Sequence, residues 1–130
     1  MQKELIHELI AHARDSADNA FCPYSGVPVG ASLLTADHTF LGGCNIEPND
    51  IGSAIAAGES VIFRALCDGI TGFTALCLWS EKTLPYPGGR ELSLINQFAP
   101  DATIIIANDS TYMMHRAHEL LPMRRIYADE

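Results

Sequence analysis

Between residues 51 and 67 the apolar side chains Ile51, Ala54, Ile55, Ala57, Ile62, Ala65 and Leu66 recur on most faces of a helical period. A helix of that kind has little polar face to give to water, so it must be covered on more than one side. The segment predicts a helix buried against a sheet, with Gly69 as its C-terminal stop. The remainder of the chain must supply that sheet. Residues 29–35 and 40–45 read as two strands joined at Ala36-Asp37-His38, a hairpin. Residues 74–79 are a short apolar strand bounded by Gly72 and Glu81. The β-branched run Thr103-Ile104-Ile105-Ile106-Ala107 is another. Asn108-Asp109-Ser110 is a turn, so residues 112–115 return antiparallel beside it; a parallel return needs a crossover of about a dozen residues. Ahead of all this, Leu5, Ile6, Leu9, Ile10, Ala13 and Ala17 mark residues 2–20 as an amphipathic helix, stopped by Pro23 and Ser25-Gly26. Pro85, Pro87, Gly88 and Gly89 form a loop that enters a third helix around residues 90–98. The order is α-ββ-α-β-α-ββ, which predicts an α/β fold, a three-layer α/β/α sandwich around a five-stranded mixed sheet.

Composition narrows the function classes. The 130 residues carry 16 acidic and 8 basic side chains, a net charge of −8, with 48% hydrophobic and 18% charged residues. That excludes a disordered tail and argues against binding to nucleic acid or an anionic membrane, since phosphates would be repelled. No linker or repeat divides the chain, so residues 1–130 are expected to form a single domain. No apolar run reaches the roughly 20 residues of a membrane span. The Met-Gln-Lys-Glu start has no apolar signal core, so a cytoplasmic protein with free thiols is expected.

Local motifs yield little. His7 and His12 lie five residues apart, so on a helix their side chains diverge by roughly 140° and cannot share an ion. They read as a solvated face. His115 and His118 are taken as a surface pair. Cys22, Cys44, Cys67 and Cys77 show no CxxC spacing, which leaves no zinc-ribbon pair. Gly42-Gly43 within a strand pattern marks a bulge or a close backbone approach, and Cys44 reads as a structural cysteine. More distinctive is Gly43-Cys44-Asn45-Ile46-Glu47. An amide and a carboxylate two residues apart at a strand end point the same way and suit the vicinal hydroxyls of a ribose. A polar strand cap is the alternative reading.

Several segments in order then resemble one family. Pro23-Tyr24-Ser25, Pro28-Val29-Gly30-Ala31, Gly43-Cys44-Asn45-Ile46-Glu47, Ile62-Phe63-Arg64-Ala65, Ile104-Ile105-Ile106-Ala107-Asn108 and Glu119-Leu120-Leu121-Pro122 are similar to the small cytidine deaminases, at that family's separations. The resemblance covers nearly the whole chain and implies the same α/β/α fold. It also implies zinc chemistry, with a Cys-Ala-Glu-Arg segment opening the second helix and a Pro-Cys-x-x-Cys-Arg segment opening the third. Here Ala56-Ala57-Gly58-Glu59 stands on the first segment and Pro85-Tyr86-Pro87-Gly88-Gly89-Arg90 on the second. The ligand positions are Ala56, Tyr86 and Gly89, and the catalytic glutamate position is Gly58. Moving the register by one residue places Glu59 on the catalytic position but still restores no ligand.

The resemblance therefore implies a divergent member with neither metal nor other cofactor. The family's arginine near the thiolates is Glu59 here, beside Arg90, which can pair with it. Asn45 and Glu47 fall on the family's ribose contacts, and Val27 stands where an aromatic ring usually stacks on the base. Ile51 replaces a tyrosine that neighbouring subunits share. Three functions follow. One is a zinc-free pseudoenzyme that binds a nucleoside or related small molecule, as a homotetramer or dimer. Another is a metal-independent enzyme that cleaves a glycosidic bond with carboxylates drawn from Glu47, Glu59 and Glu91; Glu59 and Glu91 are the weak catalytic candidates, and their simpler reading is as helix N-terminal acids. The last is an oligomeric scaffold with its pocket collapsed around Tyr86. Asn45 and Glu47 as purely structural hydrogen-bonders also stand open.

Overall fold

The structure is a computed structural model and describes residues 1–121, so Pro122 and the rest of the C-terminal stretch lie outside it. Helix α1 (Lys3–Ala17) is followed by strands β1 (Val29–Thr35) and β2 (Phe40–Cys44), helix α2 (Ala57–Cys67) and strand β3 (Phe73–Ser80). Helix α3 (Gly89–Phe98), strands β4 (Thr103–Ala107) and β5 (Tyr112–Arg116), and the short helix α4 (Ala117–Leu120) complete it. The five strands form one sheet in the order β2-β1-β3-β4-β5. Only β3 and β4 run parallel, with Leu76 opposite Ile104, and α3 is the crossover between them. The other neighbours are antiparallel, including β4 with β5.

Strand alternation divides the core into two layers. Ala75, Cys77 and Trp79 of β3 face α1, where they meet Ile6, Leu9, Ala13 and Ala17. Leu76 and Leu78 face the opposite way and pack with Val61, Ile62 and Ala65 of α2 and Ile95 of α3. The sheet is thus covered on both sides, as the sandwich requires. Gly42 and Gly43 mark a close approach on each face. A Cβ on Gly42 would run into the Ser16 hydroxyl of α1, and one on Gly43 would lie 2.6 Å from the Ser60 hydroxyl and 2.7 Å from the Val61 nitrogen of α2.

Two expected boundaries change. The apolar run from residue 51 does not begin a helix: Ile51–Ser53 is a single 3-10 turn, and α2 starts only at Ala57. Ile55 is held instead by paired backbone hydrogen bonds with Ile46, at 3.0 and 3.1 Å, which extend the chain there. Ile51 itself is 79% exposed. At the N-terminus the helix ends at Ala17 rather than running to Ala20, and α4 is an addition to the expected elements.

Candidate functional site

The N-terminal ends of α2 and α3 meet beside the exit of β2, and an open cavity of about 540 Å³ lies between them. That volume falls within the range of small-molecule sites. Asn45, Glu47, Ala56 and Glu59 line it, together with Tyr86 and Arg90, whose side chains are largely exposed.

Asn45 follows the last residue of β2, and its amide is engaged on both sides. Its Oδ1 accepts from the Val29 backbone N–H at 2.9 Å, and its Nδ2 donates to the Val27 carbonyl at 3.0 Å. The side chain therefore ties the β2 exit to the strand entering β1. Glu47 is spent differently. Its Oε1 accepts from the backbone N–H groups of Tyr24 and Ser25, both at 3.0 Å, whereas neither of these amides donates to its Oε2. The Ser25 hydroxyl, with the Ser25 and Tyr24 amides, holds the Glu47 carboxyl below the usual range. An ionised carboxylate has about four lone-pair sites, enough to accept from ligand hydroxyls as well.

Glu59 and Glu91 each stand three residues into a helix, and each carboxylate turns back to cap that helix. Glu59 Oε1 accepts from Ala56 N–H at 2.9 Å, and Glu91 Oε1 from Gly88 N–H at 3.1 Å. The second oxygens reach across. Glu59 Oε2 lies 3.1 Å from Arg90 Nη2 of α3, and Glu91 Oε2 accepts from Gly58 N–H of α2 at 3.0 Å. Both carboxylates are buried. Burial pushes the Glu91 carboxyl up, the Gly88 and Gly58 amides work against that, and neighbouring Glu59 adds a smaller upward push.

The structure brings most of the sequence candidates together. Asn45, Glu47, Ala56, Glu59, Tyr86, Gly89 and Glu91 all line the one cavity. Val27 does not line it; its side chain is exposed and its backbone is bound by Ser25 and Asn45. Gly58 lies behind Glu91, and Tyr86 is 65% exposed rather than filling the cavity. Away from the site, His12 stacks on Phe40 with ring centroids 4.5 Å apart, and His7 meets the edge of Tyr112. His115 lies on β5 and His118 on α4. Sequence reasoning missed the bond from Gly58 to Glu91, 33 residues apart. The only signal for it was a glycine in the first turn of a helix, where most residues serve better.

A cytidine deaminase of Sporosarcina psychrophila is 35% identical over 94 residues, spanning 72% of this chain and 69% of that protein. This chain belongs to the cytidine deaminase family. The crystal structure of a cytidine deaminase from Burkholderia pseudomallei matches it with a TM-score of 0.88 at 28% identity, covering 96% of this chain and all of that one. The enzyme from Mycobacterium tuberculosis matches with a TM-score of 0.80 at 25% identity, over 92% of this chain and 95% of that one. No family model matches the chain. Among the described residues no helix is long and apolar enough to cross a membrane.

Zinc is the metal that the cytidine deaminase resemblance implies. At the three positions that the resemblance assigns to ligands, this chain offers the methyl group of Ala56, the phenol of Tyr86 and the bare α-carbon of Gly89. Structural and catalytic zinc sites take thiolate, imidazole or carboxylate donors. Among the described residues, no three His, Cys, Asp or Glu side chains gather closely enough to hold a metal ion. The residues at these positions do not fit zinc.

Proposed function

We propose that this chain is a zinc-free member of the cytidine deaminase family that binds a nucleoside or a related small molecule without deaminating it. The observation that carries the reading is the contrast around one cavity, with Gly58 just behind its Glu91 wall. The positions for metal and catalytic carboxylate have become Ala56, Tyr86, Gly89 and Gly58, while Asn45 and Glu47 remain on the wall of an open space of about 540 Å³. Deamination by this family needs a metal-bound water and a glutamate that moves its protons. Neither has a donor here. Binding needs only shape and a few placed polar groups, and the Glu47 carboxylate on the cavity wall supplies one of them.

The glycosidase reading is the weaker one for a geometric reason. A general acid or base needs a carboxyl oxygen directed at the substrate. All four oxygens of Glu59 and Glu91 are engaged, by Ala56, Arg90, Gly88 and Gly58, which leaves Glu47 as a single carboxylate where an acid and a base are both needed. The scaffold reading requires a closed pocket, and Tyr86 is largely exposed. As part of the same proposal, residues 1–130 form a single domain, working as a homo-oligomer of two or four chains in the cytoplasm.

A nucleoside panel tests this. Each nucleoside is incubated with the protein, its effect on Tm is recorded, and the products are separated by chromatography. Binding without turnover raises Tm and returns the nucleoside intact. Release of ammonia and a deaminated nucleoside, or one equivalent of zinc per chain by metal analysis, refutes the reading. Free base with sugar would establish the hydrolase instead.

A further inference from the structure

Resting on that zinc-free reading, we propose that Glu91 replaces the metal as the structural link between α2 and α3. Its carboxylate clamps the two helix N-termini together and positions the cavity wall, and glycine at position 58 is the condition for it. In the family pattern the ligands come from the starts of the second and third helices, so a metal joins the two. Without it, two helix N-termini face each other with free amides and partial positive charge. Glu91 answers both. Oε1 accepts from Gly88 N–H of its own helix and Oε2 from Gly58 N–H of α2, at 3.1 and 3.0 Å. Glu59, bound to Ala56 and paired with Arg90, makes a second link in the opposite sense.

Gly58 and Glu91 are matched. A Cβ at position 58 would lie 2.5 Å from Glu91 Oε2, 3.4 Å from its Cδ and 3.5 Å from its Cγ, and these three nearest atoms all belong to Glu91. Any side chain at 58, including the glutamate the family places there, forces Glu91 Oε2 out of the position in which it accepts from Gly58 N–H. Conversely, with Glu91 shortened, nothing near position 58 opposes a side chain, and alanine is the better helix former.

The test is a double-mutant cycle on the full chain, read by thermal denaturation. Gly58→Ala should lower Tm by roughly 5 °C or more in the wild-type background, where it displaces a buried carboxylate. In the Glu91→Ala background the same substitution should leave Tm unchanged or raise it. Equal effects in both backgrounds overturn the clamp. A second measurement needs no variant: in a pH titration of the wild-type protein followed by NMR, the amide resonances of Gly58 and Gly88 should move with one shared midpoint. Movement of Gly88 alone would reduce Glu91 to a cap of its own helix and also overturn the proposal. Finding zinc, by contrast, would sink the zinc-free reading and leave these two results to be judged separately.

Discussion

Asn45→Ala separates the two roles open to the polar strand exit. The substitution removes a 2.9 Å bond to the half-buried Val29 amide and a 3.0 Å bond to the Val27 carbonyl, which can turn to water. The first loss leaves a donor partly unsatisfied and the second is nearly neutral, so the cost should be about 1.5 kcal/mol. A chain of 130 residues has an unfolding entropy of about 0.27 kcal/mol/K, so Tm should fall by roughly 5 °C. Differential scanning calorimetry without ligand measures this directly. Glu47→Gln is the paired control. Glutamine keeps one oxygen to accept from Tyr24 and Ser25, and replaces the other carboxylate oxygen with an NH₂ group. It should hold the ligand-free Tm within a degree or two, yet reduce the rise in Tm that a bound nucleoside produces. The reasoning is refuted if Asn45→Ala leaves Tm unchanged, because its amide then carries no structural load. It is refuted equally if Glu47→Gln binds as the wild type does.

Three further outcomes are expected. The Glu47 carboxyl is held below its ordinary range, so its anchoring of residues 24–25 is fully present above about pH 4.5 and fades as pH falls through the lower folded value; the Tyr24 and Ser25 amide resonances should follow that titration and stop doing so in Glu47→Gln. Gly30→Ala should cost at least about 3 kcal/mol in chemical denaturation, or abolish soluble expression, because its Cβ would overlap the Ala13 carbonyl oxygen where α1 crosses β1. The triple variant Ala56→Cys, Tyr86→Cys, Gly89→Cys should take up one zinc per chain by metal analysis while the wild type takes none; failure to bind would show that these positions were placed on the wrong register.

The sequence was most legible where one period ran without competition. Alternation and β-branching marked residues 103–107, and the short Asn108-Asp109-Ser110 turn forced β5 antiparallel, because a turn of that length allows nothing else. Residues 51–56 misled because apolar periodicity cannot tell a helix from an extended apolar strip. The deciding fact, the pairing of Ile55 with Ile46, is nonlocal. Strand order is of the same kind: the placement of β1 between β2 and β3 follows from packing on both faces of the sheet. At the site, the residue types at positions 45, 47, 56, 58, 86 and 89 could be read one by one. Their mutual engagement could not. Glu59 and Glu91 at the third position of a helix do carry a local signal, since a carboxylate there reaches back to its own cap. What each carboxylate does with its second oxygen depends on how two helices meet.

The charge pattern at that meeting point has a consequence for how the site could change. Two converging helix N-termini require negative charge between them. A set of thiolates around a metal meets that need, and so does a pair of glutamates with Arg90 beside them. The two solutions exclude each other at Gly58, because the space that a catalytic side chain would occupy is the space in which Glu91 sits. On the zinc-free reading, loss of the catalytic carboxylate and gain of the structural one are therefore a single exchange rather than two events. Gly58→Glu alone would force Glu91 Oε2 out of its position and place a further charge beside Glu59, while restoring no metal. Such a variant should be less stable than the wild type in thermal denaturation and, on the zinc-free reading, show no deaminase activity. On the same reading, deaminase chemistry at this site would require the three ligand positions, residue 58 and residue 91 to change together, because the seat of Glu91 and the space for a side chain at 58 overlap.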